Sequence, residues 1–146
     1  MIKVDFIKRK ISLIQDDLTH LVGFKNYSFD EIAKDFVKQA ALERILERVI
    51  TRAIDINQHI IAELDGKDAS PPKDYRDTFI ILSKLNIYTK DFAEEISKSI
   101  GMRNILVHEY DVVDQQSIYD SVGDCLKDYH QYCNFILKFL EQEKYK

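Results

Sequence analysis

Hydrophobic residues recur every three or four positions along most of the chain, which is the period of an amphipathic α-helix. The first predicted helix covers residues 2–22, and its apolar stripe consists of Val4, Ile7, Ile11, Ile14, Leu18 and Leu21. A second predicted helix, unusually long and open to a kink, runs over residues 28–64 from the capping-box pair Ser28 and Glu31. Its main seam consists of Leu42, Leu46, Val49, Ala53, Ile56 and Ile60. A helix this apolar needs cover on more than one side, so we expect it at the centre of the fold or in a dimer interface.

Three further helices follow a linker that contains Pro71 and Pro72. The pattern predicts a third helix over residues 75–85, a fourth capped by Thr89 and a fifth capped by Asp114. The stripe of the fifth helix consists of Ile118, Val122, Cys125, Tyr129, Tyr132, Ile136 and Leu140. Together these elements predict an all-α fold, an antiparallel bundle of four to five helices forming one domain over residues 1–146.

Composition places the chain among soluble globular proteins, with 146 residues, 45% of them hydrophobic and 32% charged. No apolar run reaches the roughly 20 residues that cross a bilayer, and the first ten residues lack the apolar core of a signal peptide. We therefore expect a cytoplasmic protein without a membrane partner. The net charge of −4 gives no general attraction to nucleic acid but leaves room for a local basic site.

The two cysteines, Cys125 and Cys133, lie eight residues apart on one predicted helix. That spacing corresponds to about 12 Å, which is too far for a disulfide. We interpret both as small core residues.

Polar residues interrupt the apolar stripe of the fourth helix. The stripe runs through Phe92, Ile96 and Ile100, and at helical spacing it continues to Arg103 and Val107. Arg103 therefore occupies a position where a core hydrophobe is expected. Because burying an unpaired charge is costly, such a residue has a specific partner or lines a functional cleft.

The residues around this interruption suit phosphate chemistry. The fork of Arg103 matches a phosphate group, and an imidazole such as His108 transfers protons near neutral pH. Together they fit metal-independent RNA cleavage, with Asn104 orienting either group. On a straight helix, however, residues five apart point about 140° apart, so the two converge only through a distorted helix or a second subunit. A buried polar network and a plain anion site are the alternatives.

A row of arginines, Arg44, Arg48 and Arg52, lies on one face of the second predicted helix. Like charges at this spacing repel, which favours a partner such as a phosphate backbone. The alternative is a solvated face neutralised by Glu47 and Asp55.

Three potential metal ligands also share a face, namely Asp55, His59 and Glu63. No further ligand pair accompanies them, so we expect a hydrogen bond between Asp55 and His59 rather than a bound metal.

The motif from Arg103 to Tyr110 resembles that of the HEPN superfamily, and more narrowly that of the HepT toxins of toxin–antitoxin modules. Beyond the motif, similar segments are residues 41–46, 53–61 and 72–79. The resemblance implies a helical-bundle homodimer that is a ribonuclease toxin without metal or cofactor. It places the catalytic pair on Arg103 and His108, the accompanying polar residue on Asn104, and a supporting role on Asp55.

The resemblance also implies a partner, a nucleotidyltransferase antitoxin of the MNT type that adds AMP to Tyr110 and silences the toxin. The substrate would be RNA, either tRNA or mRNA. The alternative function is a non-catalytic module that binds a nucleotide or RNA, or that docks a nucleotidyltransferase as its accessory subunit. A structural dimer in which Arg103 only ties helices together is the third possibility.

Overall fold

The computed structural model describes residues 1–64, 71–108 and 114–144, and within these ranges it contains helices and no strand. The all-α prediction is therefore confirmed. The helices are α1 Val4–Gly23, α2 Phe29–Ala33, α3 Phe36–Leu64, α4 Tyr75–Lys84, α5 Lys90–Ser97, α6 Ser99–His108, α7 Gln115–Asp120 and α8 Val122–Glu143, with a 3₁₀ turn at Phe24–Asn26.

Helix α3 is the centre of the fold, because it packs against α1, α4 and α6. Its predicted seam is buried at all six positions, and so is the whole predicted stripe of α7 and α8. Contacts of Lys10 with Asp55 and of Asp17 with Arg48 show that α1 runs antiparallel to α3. Helix α1 also packs against α8, and α4 packs against α5, which completes the bundle.

The second predicted helix is divided into α2 and α3. Its start is as predicted, since Ser28 Oγ accepts a hydrogen bond of 3.1 Å from the Glu31 amide. The division occurs at Asp35, whose Oδ1 accepts from the amides of Val37 at 3.0 Å and Lys38 at 3.2 Å. A carboxylate in this position satisfies the first free amides of a new helix, so the expected kink is a complete break.

The fourth predicted helix is divided at Lys98 into α5 and α6. Serines flank the break: Ser97 Oγ donates to the Glu94 carbonyl at 2.9 Å, and Ser99 Oγ donates to the Ile96 carbonyl at 2.7 Å. Such side-chain bonds to the preceding turn compete with regular helix geometry. Helix α6, which carries the candidate motif, therefore begins immediately before it.

A buried polar group ties α3, α4 and α8 together. Asn57 Nδ2 donates to Thr78 Oγ1 at 3.1 Å, and the Tyr132 hydroxyl donates to Asn57 Oδ1 at 2.6 Å. Thr78 in turn donates to the carbonyl of Tyr75 at 2.6 Å. A broken hydrogen bond inside the core would leave a polar atom unsatisfied. These buried hydrogen bonds therefore fix the beginning of α4 against α3.

Both cysteines are free and buried, as the sequence predicts. Burial raises the pKa of the Cys125 and Cys133 thiols to about 12, so both are inert small core residues. Among the described helices, none combines the length and the hydropathy of a membrane span.

Candidate active site

Helix α6 presents three of the four predicted motif residues. Arg103 is half-buried, whereas Asn104 and His108 are exposed, and His108 is the last residue of the helix. Tyr110, the predicted modification site, lies outside the described residues. The structure thus places the phosphate-binding and proton-transferring candidates on a single short helix.

Two neighbouring helices hold the Arg103 side chain. Its Nε donates to Thr51 Oγ1 of α3 at 3.2 Å, and its Cζ lies 5.0 Å from the ring centroid of Tyr75, the first residue of α4. The guanidinium therefore stacks on an aromatic ring at cation–π distance. Neither contact neutralises the charge, and within the described residues no carboxylate pairs with Arg103.

The prediction that Arg103 occupies a core position was wrong. The side chain is half-buried at the edge of the bundle, and Val107 beside it is half-buried as well. The apolar stripe ends because α6 starts anew after the break at Lys98, so the register of α5 no longer dictates which residues face the core. The predicted need for a specific partner is met by a hydroxyl and a ring instead of an acid.

Arg103 and His108 do not share a face of α6. The helix is continuous from Ser99 to His108, so the two side chains diverge by about 140°. The distortion that would bring them together within one chain is absent from α6, because the break lies before the helix. Asn104, four residues before His108, does lie on the same exposed face as the histidine.

All three arginines of the predicted row form ion pairs. Arg44 Nη1 lies 3.3 Å from Glu47 Oε1, as expected for a neutralised face. Arg48 and Arg52 both bind Asp17 of α1, with Arg52 Nη1 2.7 Å from Asp17 Oδ2. Asp17 is almost fully buried, so this three-residue ion cluster ties α1 to α3.

The partner predicted for this row, Asp55, was wrong. Asp55 Oδ2 instead accepts from Lys10 Nζ at 3.0 Å. The predicted bond between Asp55 and His59 was also wrong, because His59 Nε2 accepts from the Lys3 amide at 3.0 Å and its ring packs on Phe6. Both residues face α1, which the spacing on α3 alone does not reveal.

Asp55, His59 and Glu63 are the candidate metal ligands on this face of α3. Among the described residues, no group of three or more histidine, cysteine, aspartate or glutamate side chains has a geometry that could hold a metal ion.

Sequence reasoning missed three residues that shape this region, namely Asp17, Thr51 and Tyr75. Asp17 carried a usable signal, because its position between Ile14 and Leu21 falls on the apolar stripe of α1. Thr51 and Tyr75 carried none, since their contacts with Arg103 depend on how α3, α4 and α6 pack.

Several known proteins are similar to this chain in sequence. The family model described as ribonuclease HepT-like matches residues 8–136. The chain is 36% identical over 136 residues to the tRNA nuclease HepT of Aphanizomenon flos-aquae, covering 92% of this chain and 89% of the relative. It is 29% identical over 134 residues to the mRNA nuclease HepT of Shewanella oneidensis, covering 92% of each.

A solved structure agrees with these sequence relatives. The tri-AMPylated HEPN toxin of Shewanella oneidensis in complex with its MNT antitoxin superposes with a TM-score of 0.79 at 27% identity, covering 92% of this chain and 98% of that one. Fold and motif define a HEPN-type helical protein. More narrowly, the chain belongs to the ribonuclease HepT-like family, which confirms the resemblance drawn from its motif.

Proposed function

We propose that this protein is a metal-independent endoribonuclease toxin of a toxin–antitoxin module. One observation carries the proposal: Thr51 and Tyr75 hold Arg103, and no acid among the described residues neutralises it, on the helix that also exposes His108. A fixed guanidinium that no carboxylate in the described ranges neutralises suits the phosphate group of RNA, and an imidazole on the same helix can transfer protons. Membership of the ribonuclease HepT-like family supports the same chemistry.

In the proposed reaction, the ribose 2′-hydroxyl loses its proton and its oxygen attacks the adjacent phosphorus. The bond from phosphorus to the 5′-oxygen breaks, and that oxygen takes up a proton, leaving a 2′,3′-cyclic phosphate and a free 5′-hydroxyl. His108 acts as general base or general acid, and Arg103 stabilises the charge that develops on the phosphoryl oxygens. Asn104, on the same face as His108, orients the imidazole or bonds the phosphate.

The divergence of Arg103 and His108 on α6 favours a site shared between two copies of the chain. In a homodimer whose two α6 helices face each other, the arginine of one copy approaches the histidine of the other. We therefore infer that the active form is a homodimer and that each site uses residues of both subunits. Mixing an Arg103→Gln chain with a His108→Ala chain tests this, because a shared site regains activity in the mixed dimer, whereas a site within one chain does not.

The proposed regulator is a cognate MNT-type nucleotidyltransferase that transfers AMP to Tyr110 in the cytoplasm. Tyr110 follows His108 by two residues, so an added phosphate there lies close to the motif. Its negative charge competes with RNA for Arg103, and its bulk obstructs the site. The relatives in solved structures support this pairing, since one is a tri-AMPylated toxin bound to its MNT antitoxin.

Expression in a bacterial host tests the function as a whole. We expect the parent chain to arrest growth, Arg103→Gln to abolish the arrest, and Arg9→Gln, which removes an exposed charge on α1, to leave it intact. Co-expression of the nucleotidyltransferase should restore growth with the parent chain but not when Tyr110 is changed to phenylalanine. A harmless parent chain that still binds RNA would instead favour the non-catalytic binding module.

A further inference from the structure

One face of helix α6 consists of Gly101, which is half-buried, and of Asn104, Ile105 and His108, which are exposed. On a regular helix these four positions fall within about 100° of one another. Arg103 lies on another side, where Thr51 and Tyr75 hold it. The face that carries the imidazole and the amide therefore contains no cation from α6 itself.

Arg76 of α4 supplies a cation to this face. A Cβ atom placed on Gly101 would lie only 3.0 Å from Arg76 Nη2, so the guanidinium rests directly against the backbone of α6. A larger residue at position 101 would displace the flexible end of the Arg76 side chain. Glycine inside a helix costs about 1 kcal/mol relative to alanine, and here it leaves room for an arginine.

The charge of Arg76 is not cancelled by its neighbours. The two acids at the start of α4 bind backbone amides: Asp74 Oδ1 accepts from Asp77 N at 2.8 Å, and Asp77 Oδ2 accepts from Lys73 N at 2.9 Å. In the described part of the chain, Arg76 makes no ion pair. Arg76 is also exposed, so its guanidinium is accessible to an anion in solution.

We propose that Arg76 binds a phosphate of the RNA that flanks the cleaved one. The inference rests on the proposed function for the identity of the ligand. Gly101 and His108 are seven residues apart, which is about 10 Å along the helix axis and more than one phosphate group spans. Arg76 and His108 therefore serve different phosphates of one strand, and Arg76 sets the register in which the strand crosses α6.

Binding of a 2′-O-methyl oligoribonucleotide tests the proposal, because this probe cannot be cleaved. We expect Arg76→Gln to weaken binding about tenfold at moderate salt and to reduce the salt-dependence slope by about 0.7, the value for one phosphate contact on a single strand. Gly101→Leu, which retains Arg76 but fills its position, should weaken binding similarly. Arg9→Gln provides the control of equal charge, and thermal melting of each variant verifies its fold.

The outcomes separate this inference from the proposed function. If the parent cleaves RNA but Arg76→Gln binds the probe like Arg9→Gln, the flanking-phosphate assignment fails and the nuclease stands. If Arg76→Gln and Gly101→Leu both weaken binding while the parent cleaves no RNA, the nuclease fails and the phosphate site stands. If the parent does not bind the probe, the assignment is overturned.

Discussion

The guanidinium of Arg103 stacks on the ring of Tyr75, with 5.0 Å between Arg103 Cζ and the ring centroid. Tyr75 is the first residue of α4, and its carbonyl accepts a hydrogen bond from the hydroxyl of Thr78. Thr78 is part of the buried polar group that ties α3, α4 and α8 together. The position of Arg103 is therefore fixed by the core through Tyr75, which carries no charge. An acidic partner would fix the side chain equally well but would compete with phosphate for its charge.

Removing the ring of Tyr75 should loosen Arg103 without removing its charge. We expect Tyr75→Leu to lower kcat/KM for RNA cleavage about 5- to 30-fold, which corresponds to about 1–2 kcal/mol of lost cation–π support. Tyr75→Phe retains the ring and should remain within about twofold of the parent. Equal loss in both variants would contradict a role of the ring as the support.

Thr51 should act in the same way through its hydroxyl. In Thr51→Val the Nε of Arg103 loses its acceptor, so we expect about a 3- to 10-fold loss of kcat/KM. Thr51→Ser, which keeps the hydroxyl, should recover most of the rate. Circular dichroism melting of both variants checks that α3 still packs normally. An unaffected rate in Thr51→Val would show that this hydrogen bond does not position Arg103.

The ion cluster around Asp17 should contribute to stability rather than to catalysis. Asp17→Asn leaves Arg48 and Arg52 without their shared carboxylate, and since both arginines are partly exposed we expect a loss of about 1–3 kcal/mol in the free energy of unfolding. Denaturant unfolding measures this value. The neighbouring exposed Asp16→Asn serves as the control and should change stability by less than about 0.5 kcal/mol.

Asp128 should make the stability of the fold dependent on pH. Burial, together with the nearby acids Glu95 and Asp124, raises the pKa of its carboxyl from 3.8 to about 6, although Lys127 and Lys98 oppose the shift. The folded state therefore holds a proton more tightly than the unfolded chain, so this group lowers stability as pH rises from about 4 to 6.

The variant Asp128→Asn removes this titration. It should raise the free energy of unfolding by about 1–3 kcal/mol at pH 7.5, and the gain over the parent should shrink towards zero near pH 4. Urea unfolding across this range measures the difference. A gain that does not change with pH would show that Asp128 does not titrate in this window.

The sequence predicted the helical stripes well, because burial of every third or fourth residue leaves a direct pattern. The caps at Ser28, Thr89 and Asp114 were also predictable, since each side chain accepts a bond from an amide two or three residues ahead. The breaks at Asp35, at Lys98 and at Ser121, which divides the predicted fifth helix into α7 and α8, were not, because only one or two residues interrupt each pattern without changing its overall composition.

The candidate site residues could be proposed from the sequence, but the side chains that hold Arg103 could not. The interrupted apolar stripe singled out Arg103, and the resemblance to the family motif added Asn104 and His108 as candidates. Tyr75 lies 28 residues before Arg103 in the sequence, and Thr51 lies 52 residues before it. Their contacts with Arg103 depend on how the helices pack, which local spacing does not encode. The same holds for Asp17 and Asp55, whose partners are decided by the contact of α1 with α3.

Cleavage of RNA by the purified protein in EDTA tests the central claim most directly. The substrates are total tRNA and a generic RNA, and the comparison is between the parent chain, shown by mass to be unmodified at Tyr110, and His108→Ala. The account predicts that the parent cleaves and leaves 2′,3′-cyclic phosphate ends, whereas the folded variant does not cleave. Full activity in His108→Ala, or no cleavage by the unmodified parent, would contradict it.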